Sequence, residues 1–130
     1  MASELKVDKF TGVTTAGSID VTGEGNSTTT NLQQGLCKAW ANADAQSTVH
    51  IDDSFNHASI TDSSTGQLIF NVTNALANAD FSISGSHNST QYNFAASGYA
   101  TTSITTFHRT DAGSYTDPTH ISVNFVGDLA

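Results

Sequence analysis

Ser59-Ile60-Thr61-Asp62-Ser63-Ser64-Thr65-Gly66-Gln67-Leu68-Ile69-Phe70-Asn71-Val72-Thr73 holds the pattern that decides the fold. In its second half Leu68, Phe70 and Val72 take one side while Gln67, Asn71 and Thr73 take the other. Successive side chains of a strand point to opposite faces, so this alternation predicts a strand with one buried and one wet face. Thr65-Gly66 supplies the turn before it, glycine accepting backbone angles that other residues avoid. Further upstream, Gly35-Leu36-Cys37-Lys38-Ala39-Trp40 reads as a short strand, with Leu36, Lys38 and Trp40 on one face and Cys37, Ala39 and Ala41 on the other. Ser54-Phe55-Asn56 forms a polar corner between the two.

Working outward, Val49 and Ile51, Phe81 and Ile83, Tyr92 and Phe94, Ile104 with Phe107, and Ile121, Val123 and Phe125 mark further short strands. The only proline follows Asp117 and closes the loop before the last of them. Asn74 to Asp80 is too short and too rich in Asn for a stable helix and reads as a hairpin connection. Near the start, Leu5 with Val7 and Ile19 with Val21 predict two short strands, and Gly23 to Thr30, with no apolar residue, predicts a linker. Short strands at this spacing point to an antiparallel sandwich or a barrel-like β-fold. The organisation expected of this all-β chain is an N-terminal β arm over residues 1–31 and an antiparallel, jelly-roll-like β-sandwich knob over residues 32–130.

Composition agrees. The chain has 130 residues, 37% of them hydrophobic and only 12% charged, which fits one domain of ordinary size rather than charge-driven disorder. Thr and Ser are plentiful and helix formers such as Leu, Lys, Arg and Glu scarce, the balance a half-exposed strand accepts. Many inward positions hold only Ala, Ser or Thr, while ordering each residue costs on the order of 1 to 2 kcal/mol, so association of several copies is expected to complete the core.

A net charge of -8 and four basic residues, Lys6, Lys9, Lys38 and Arg109, oppose nucleic acid and anionic lipid as partners, since phosphate contacts need clustered cations. Cys37 is the only cysteine, which excludes an intrachain disulfide and a cysteine-based zinc site. Neither an apolar leader at the N-terminus nor a run approaching about 18 apolar residues is present, so no export signal and no membrane insertion are expected.

Signs of catalysis are weak. Asp52 and Asp53 are adjacent, which sends them to opposite strand faces and fits turn chemistry better than a facing acid/base pair. His50, His57, His87, His108 and His120 form no His-x-His or His-x-x-x-His pair, so no metal or other cofactor is expected. Gly85-Ser86-His87 places serine and histidine as chain neighbours, a poor arrangement for a triad, and phosphate-binding glycine loops are absent. The three Asn-x-Ser/Thr matches, at Asn26, Asn71 and Asn88, are expected by chance in so Ser/Thr-rich a chain. Tyr92, Tyr99 and Tyr115 flank polar loops and are the candidate ligand-binding residues, with a half-buried ring and wet hydroxyl as the commoner role. Trp40 reads as core or subunit interface.

The ordered set Lys38-Ala39-Trp40, Ser54-Phe55-Asn56, Ser59-Ile60-Thr61-Asp62, Thr65-Gly66 and Leu68 to Thr73 resembles the β-domain of fibre and appendage proteins of marine tailed bacteriophages. The opening Met1 to Val7 is similar to the start of such proteins, and together these segments cover under half the chain. Asp52, His57 and residues 41–47 depart from the family pattern. The resemblance implies a non-enzymatic, homotrimeric virion structural protein: the arm docks to other virion proteins or trimerises, and the knob presents loops to a host surface glycan or protein. Leu36, Trp40, His57 and His120 are the trimer-interface candidates, a histidine on a three-fold axis being able to meet its two copies. A capsid decoration or tail adaptor contacting only virion proteins is the alternative expectation.

Overall fold

The computed structural model describes residues 4–13, 19–22, 29–89 and 91–128, which fall into two compact units, 1–36 and 37–130. In the first unit, β1 (Asp20–Thr22) pairs antiparallel with β2 (Thr29–Asn31), Val21 opposite Thr30. One helical turn, α1 (Leu32–Gly35), follows, entered through a bond from the Leu32 amide to the Ile19 carbonyl. Leu5 and Val7 lie outside any strand and are exposed, which corrects the expectation of a strand there; two apolar residues with no pairing partner gain too little to order the backbone. Most of the expected linker, 23–28, lies outside the described residues, while its end, Thr29 and Thr30, belongs to β2. The unit boundary falls after Leu36, five residues beyond the expected one.

The second unit is an antiparallel β-sandwich of two four-stranded sheets. β3 (Cys37–Asp44), β4 (His50–Phe55), β7 (Ser82–His87) and β10 (Ile121–Val126) form one sheet in the order β4-β3-β10-β7. β5 (His57–Ser64), β6 (Gln67–Val72), β8 (Tyr92–Ala100) and β9 (Ser103–Thr110) form the other in the order β5-β6-β9-β8. Hairpins join β3 to β4, β5 to β6 and β8 to β9, whereas the chain changes sheet between β4 and β5, β6 and β7, β7 and β8, and β9 and β10. The segment Asn74 to Asp80 is therefore a crossover between sheets and not the hairpin connection expected.

One hydrophobic cluster fills the space between the sheets. Ala39, Ala41, Ala43, Ile121, Val123 and Phe125 face inward from the first sheet, and Leu68, Phe70, Val72 and Ile104 from the second. The alanine stripe of β3 is a matter of volume: Ala39 pairs directly with Phe125, so a small side chain leaves room for the neighbouring ring at near-crystalline density. This puts Trp40 on the outer face, which removes the core half of the expectation for it and leaves the subunit-interface half. Strand β5, which the sequence did not mark as a strand, is ordered by pairing with β6 through two register shifts despite its polar sequence.

The change of sheet between β4 and β5 hangs on Asn56. Its φ is 59°, in the left-handed region that asparagine tolerates better than most residues. Its side-chain amide donates to the carbonyls of Lys38 and Asn74, at 3.0 and 3.2 Å, and its Oδ1 accepts from the Asn74 amide at 2.7 Å. One residue thus ties β3, the corner and the start of the crossover together. Asn56→Ala is expected to lose about 2 to 3 kcal/mol in a urea titration, from three lost bonds and an unfavourable φ. Asn56→Gly keeps the backbone angle available, and if it equals alanine in cost the hydrogen bonds carry the effect.

Candidate functional site

The outer face of the second sheet carries a groove of about 490 Å³. Strand register builds it: Phe107 stands opposite Ala95, and Arg109 opposite Asn93, so a ring and a guanidinium on β9 lie beside small and polar side chains on β8. Ser97 extends the β8 wall, and Tyr115 closes the other side. Tyr115 is held there by an antiparallel bridge with Arg109. The Thr110 and Gly113 amides donate to the carbonyls of Ser114 and Thr110, tightening the turn between them.

The Arg109 guanidinium lies 4.3 Å from the centre of the Tyr115 ring and donates to the tyrosine hydroxyl. Such cation–π contacts hold a planar cation in place at a cost of little conformational freedom. The Tyr115 and Phe107 rings sit 6.4 Å apart, tilted by 48°. The Asn93 amide donates to Asp111 Oδ1 at 3.1 Å. An apolar floor bordered by a fixed cation, an amide and a hydroxyl is the composition of a small-ligand site, and its volume is in the usual range of roughly 300 to 1,000 Å³.

The three candidate tyrosines are not brought together. Tyr115 lines the groove and is 46% exposed. Tyr92 is half-buried, edge-on to His87 at 5.8 Å. Tyr99 lies near the other end of β8, against Phe81 at 5.1 Å. Among the interface candidates, Trp40 stands opposite Phe55 on the outer face of the first sheet, with Phe55 52% exposed. Leu36 is exposed at the end of the first unit. His120 is exposed beside Ser122, 3.2 Å from its hydroxyl. His57 is not on a face open to another copy: its ring packs between Phe70 and Phe125, at 5.7 and 5.1 Å, and burial lowers its pKa. The register shift between His57 and Ser59 lets His57 and Ile60, three residues apart, both turn toward the core.

A second polar cluster lies inside the sandwich. His87 Nε2 and His108 Nδ1 are 2.6 Å apart across the two sheets, and His108 Nε2 is 2.8 Å from the Thr106 hydroxyl. One proton arrangement satisfies the chain with both rings neutral: Thr106 donates to His108, His108 donates to His87, and His87 donates to the Tyr92 carbonyl. Burial lowers the pKa of both, that of His108 to about 4, where the charge of a protonated His87 would add to the effect. Phe94 covers the pair and lies against Gly85, where a Cβ would come within 2.4 Å of its ring. Thr106 and His108 are fully buried, so the hydroxyl has no access to a substrate and the cluster acts as a bridge between sheets. Local spacing gives no sign of the pair, because the partners lie 21 residues apart on different sheets.

Among the described residues no group of three or more His, Cys, Asp or Glu is placed to hold a metal ion, and no helix is long and apolar enough to cross a membrane. Set against family models, curated proteins and solved structures, the chain gives no significant match.

Proposed function

We propose that this chain is a non-enzymatic bacteriophage virion protein, a homotrimeric tail-fibre or appendage component whose knob attaches to a host surface. The groove beneath Tyr115 carries the attachment reading, because a ring, a cation and hydrogen-bonding groups share one open sheet face. The resemblance of the Lys38 to Thr73 segment supplies the virion context, and a sandwich is a scaffold on which contact residues can vary without loss of the core. Eight strands divided into two four-stranded sheets, with hairpins setting three of the six neighbour pairs, support the jelly-roll-like reading of the knob.

Assembly into three copies draws support from exposed apolar side chains. Trp40 and Phe55 are cross-strand neighbours on the outer face of the first sheet, and in the N-terminal unit Phe10 and Val13 are 61% and 97% exposed. Those arm residues also favour the alternative of a capsid decoration or tail adaptor, which needs only virion partners. Light scattering is expected to give three times the 13.6 kDa of one chain; a single-chain mass would remove the trimer. Antibody labelling of marine phage particles in negative stain, with sedimentation of the purified chain on marine bacteria, tests the attachment role. Labelled virions without cell capture would leave the adaptor role in its place.

A further inference from the structure

We infer that the groove on the outer face of the second sheet binds a sugar carboxylate, a hexuronate unit, with Arg109 as its anion-binding residue; this deepens the attachment reading and rests on it. The observation that carries it is a cation with no counter-ion among the described residues. Residues 37–130 hold eight aspartates and two basic residues, Lys38 and Arg109, and Lys38 is only 3% exposed. Arg109 is exposed, yet among the described residues no carboxylate lies within ion-pairing distance of it. The nearby Asp111 is engaged by the Asn93 amide instead.

A guanidinium braced on a tyrosine ring keeps free the donors that do not touch the ring's hydroxyl, and its planar fork matches a carboxylate. The neighbouring groups select a sugar as the carrier of that carboxylate. The Phe107 and Tyr115 rings offer apolar faces for the C–H side of a pyranose. Asn93 and Ser97, on β8, offer an amide and a hydroxyl to ring hydroxyls. The surrounding negative charge discourages polyanions, so one carboxylate at a time suits the site better than a phosphate backbone.

Digalacturonate, its dimethyl ester and a sulfated disaccharide, titrated into the isotope-labelled full chain, provide the test. Digalacturonate is expected to shift the resonances of Asn93, Ala95, Ser97 and Tyr115, and the ester to bind at least tenfold more weakly. Arg109→Gln is expected to lose tenfold or more in affinity with an unchanged melting temperature, while Tyr115→Phe, which keeps the ring, loses far less. Equal binding of the ester, preference for the sulfate, or an unperturbed groove would each overturn the assignment. Sedimentation on bacteria separates the two claims: capture by cells with an unperturbed groove defeats the hexuronate site alone, and groove binding without capture defeats attachment alone.

Discussion

Gly66→Ala is expected to lose more than ~3 kcal/mol of stability, a large effect for a single methyl group. Gly66 has φ +67°, and a Cβ there would lie 2.5 Å from the His108 carbonyl oxygen and 2.7 Å from the Thr116 nitrogen, both backbone atoms. Neither can swing aside as a side chain would. The Gly66 carbonyl accepts from the His108 amide at 2.8 Å, its own amide donates to Asp117 at 2.6 Å, and the Thr116 amide donates to the His108 carbonyl at 3.1 Å. The β5–β6 turn, strand β9 and the loop before Pro118 therefore meet at one residue that lacks a side chain. Gly113 provides the control: its φ is +84° and a Cβ there would have nothing within 4 Å, so alanine should cost only about 1 kcal/mol. Urea titration of both variants measures the difference, and equal costs would show that backbone angle rather than close approach governs Gly66.

Acid weakens this fold through its buried imidazoles. A histidine whose folded pKa lies below its unfolded value of 6.5 leaves the unfolded chain binding more protons between the two, so stability rises with pH across that interval. For His108 the interval runs from 6.5 down to about 4, and the contribution is fully present above pH 6.5 and lost as pH falls toward 4. It amounts to on the order of 3 kcal/mol at 1.36 kcal/mol per unit. His87 and His57 are shifted in the same direction by burial and add to the slope. The first proton taken up by the His87–His108 pair is a buried charge; a second would set two N–H donors against each other at 2.6 Å. His50, exposed and raised by its bonds to Thr48 and Asp52, works in the opposite sense and is screened by solvent. Unfolding free energies measured from pH 4 to 7.5 should rise and then level off, and His108→Leu should flatten most of the rise. A slope unchanged in that variant would assign acid sensitivity to other groups.

How much of this was legible in the chain depends on the kind of signal. The alternation of Leu68, Phe70 and Val72, and of Ile121, Val123 and Phe125, carries through to the buried faces of β6 and β10. At β3 alternation separated the two faces but left open which one is buried, because the core there wants alanine beside Phe125, a requirement set by another strand. Strand β5 escaped because Ser, Thr and Asp serve a wet sheet face as readily as a turn. Of the groove, Tyr115 was a candidate from its loop setting, but its partnership with Arg109 and Phe107 depends on a bridge and a strand register that local spacing does not encode. The His87–His108 contact is of the same kind.

Strand β10 sits in the interior of its sheet, between β3 and β7. Its pairing with β3 closes nearly the whole length of the domain into one loop of chain, Val126 facing Cys37. During synthesis, then, the hairpin of β3 and β4 must wait for residues 121–126 to leave the ribosome before that sheet can be completed. Until that moment β7 has no neighbour in its sheet, and such dependence on distant segments belongs to folding in milliseconds to seconds rather than microseconds. Emerging chains would meanwhile display unpaired strands, the kind of exposure through which incomplete copies associate or aggregate.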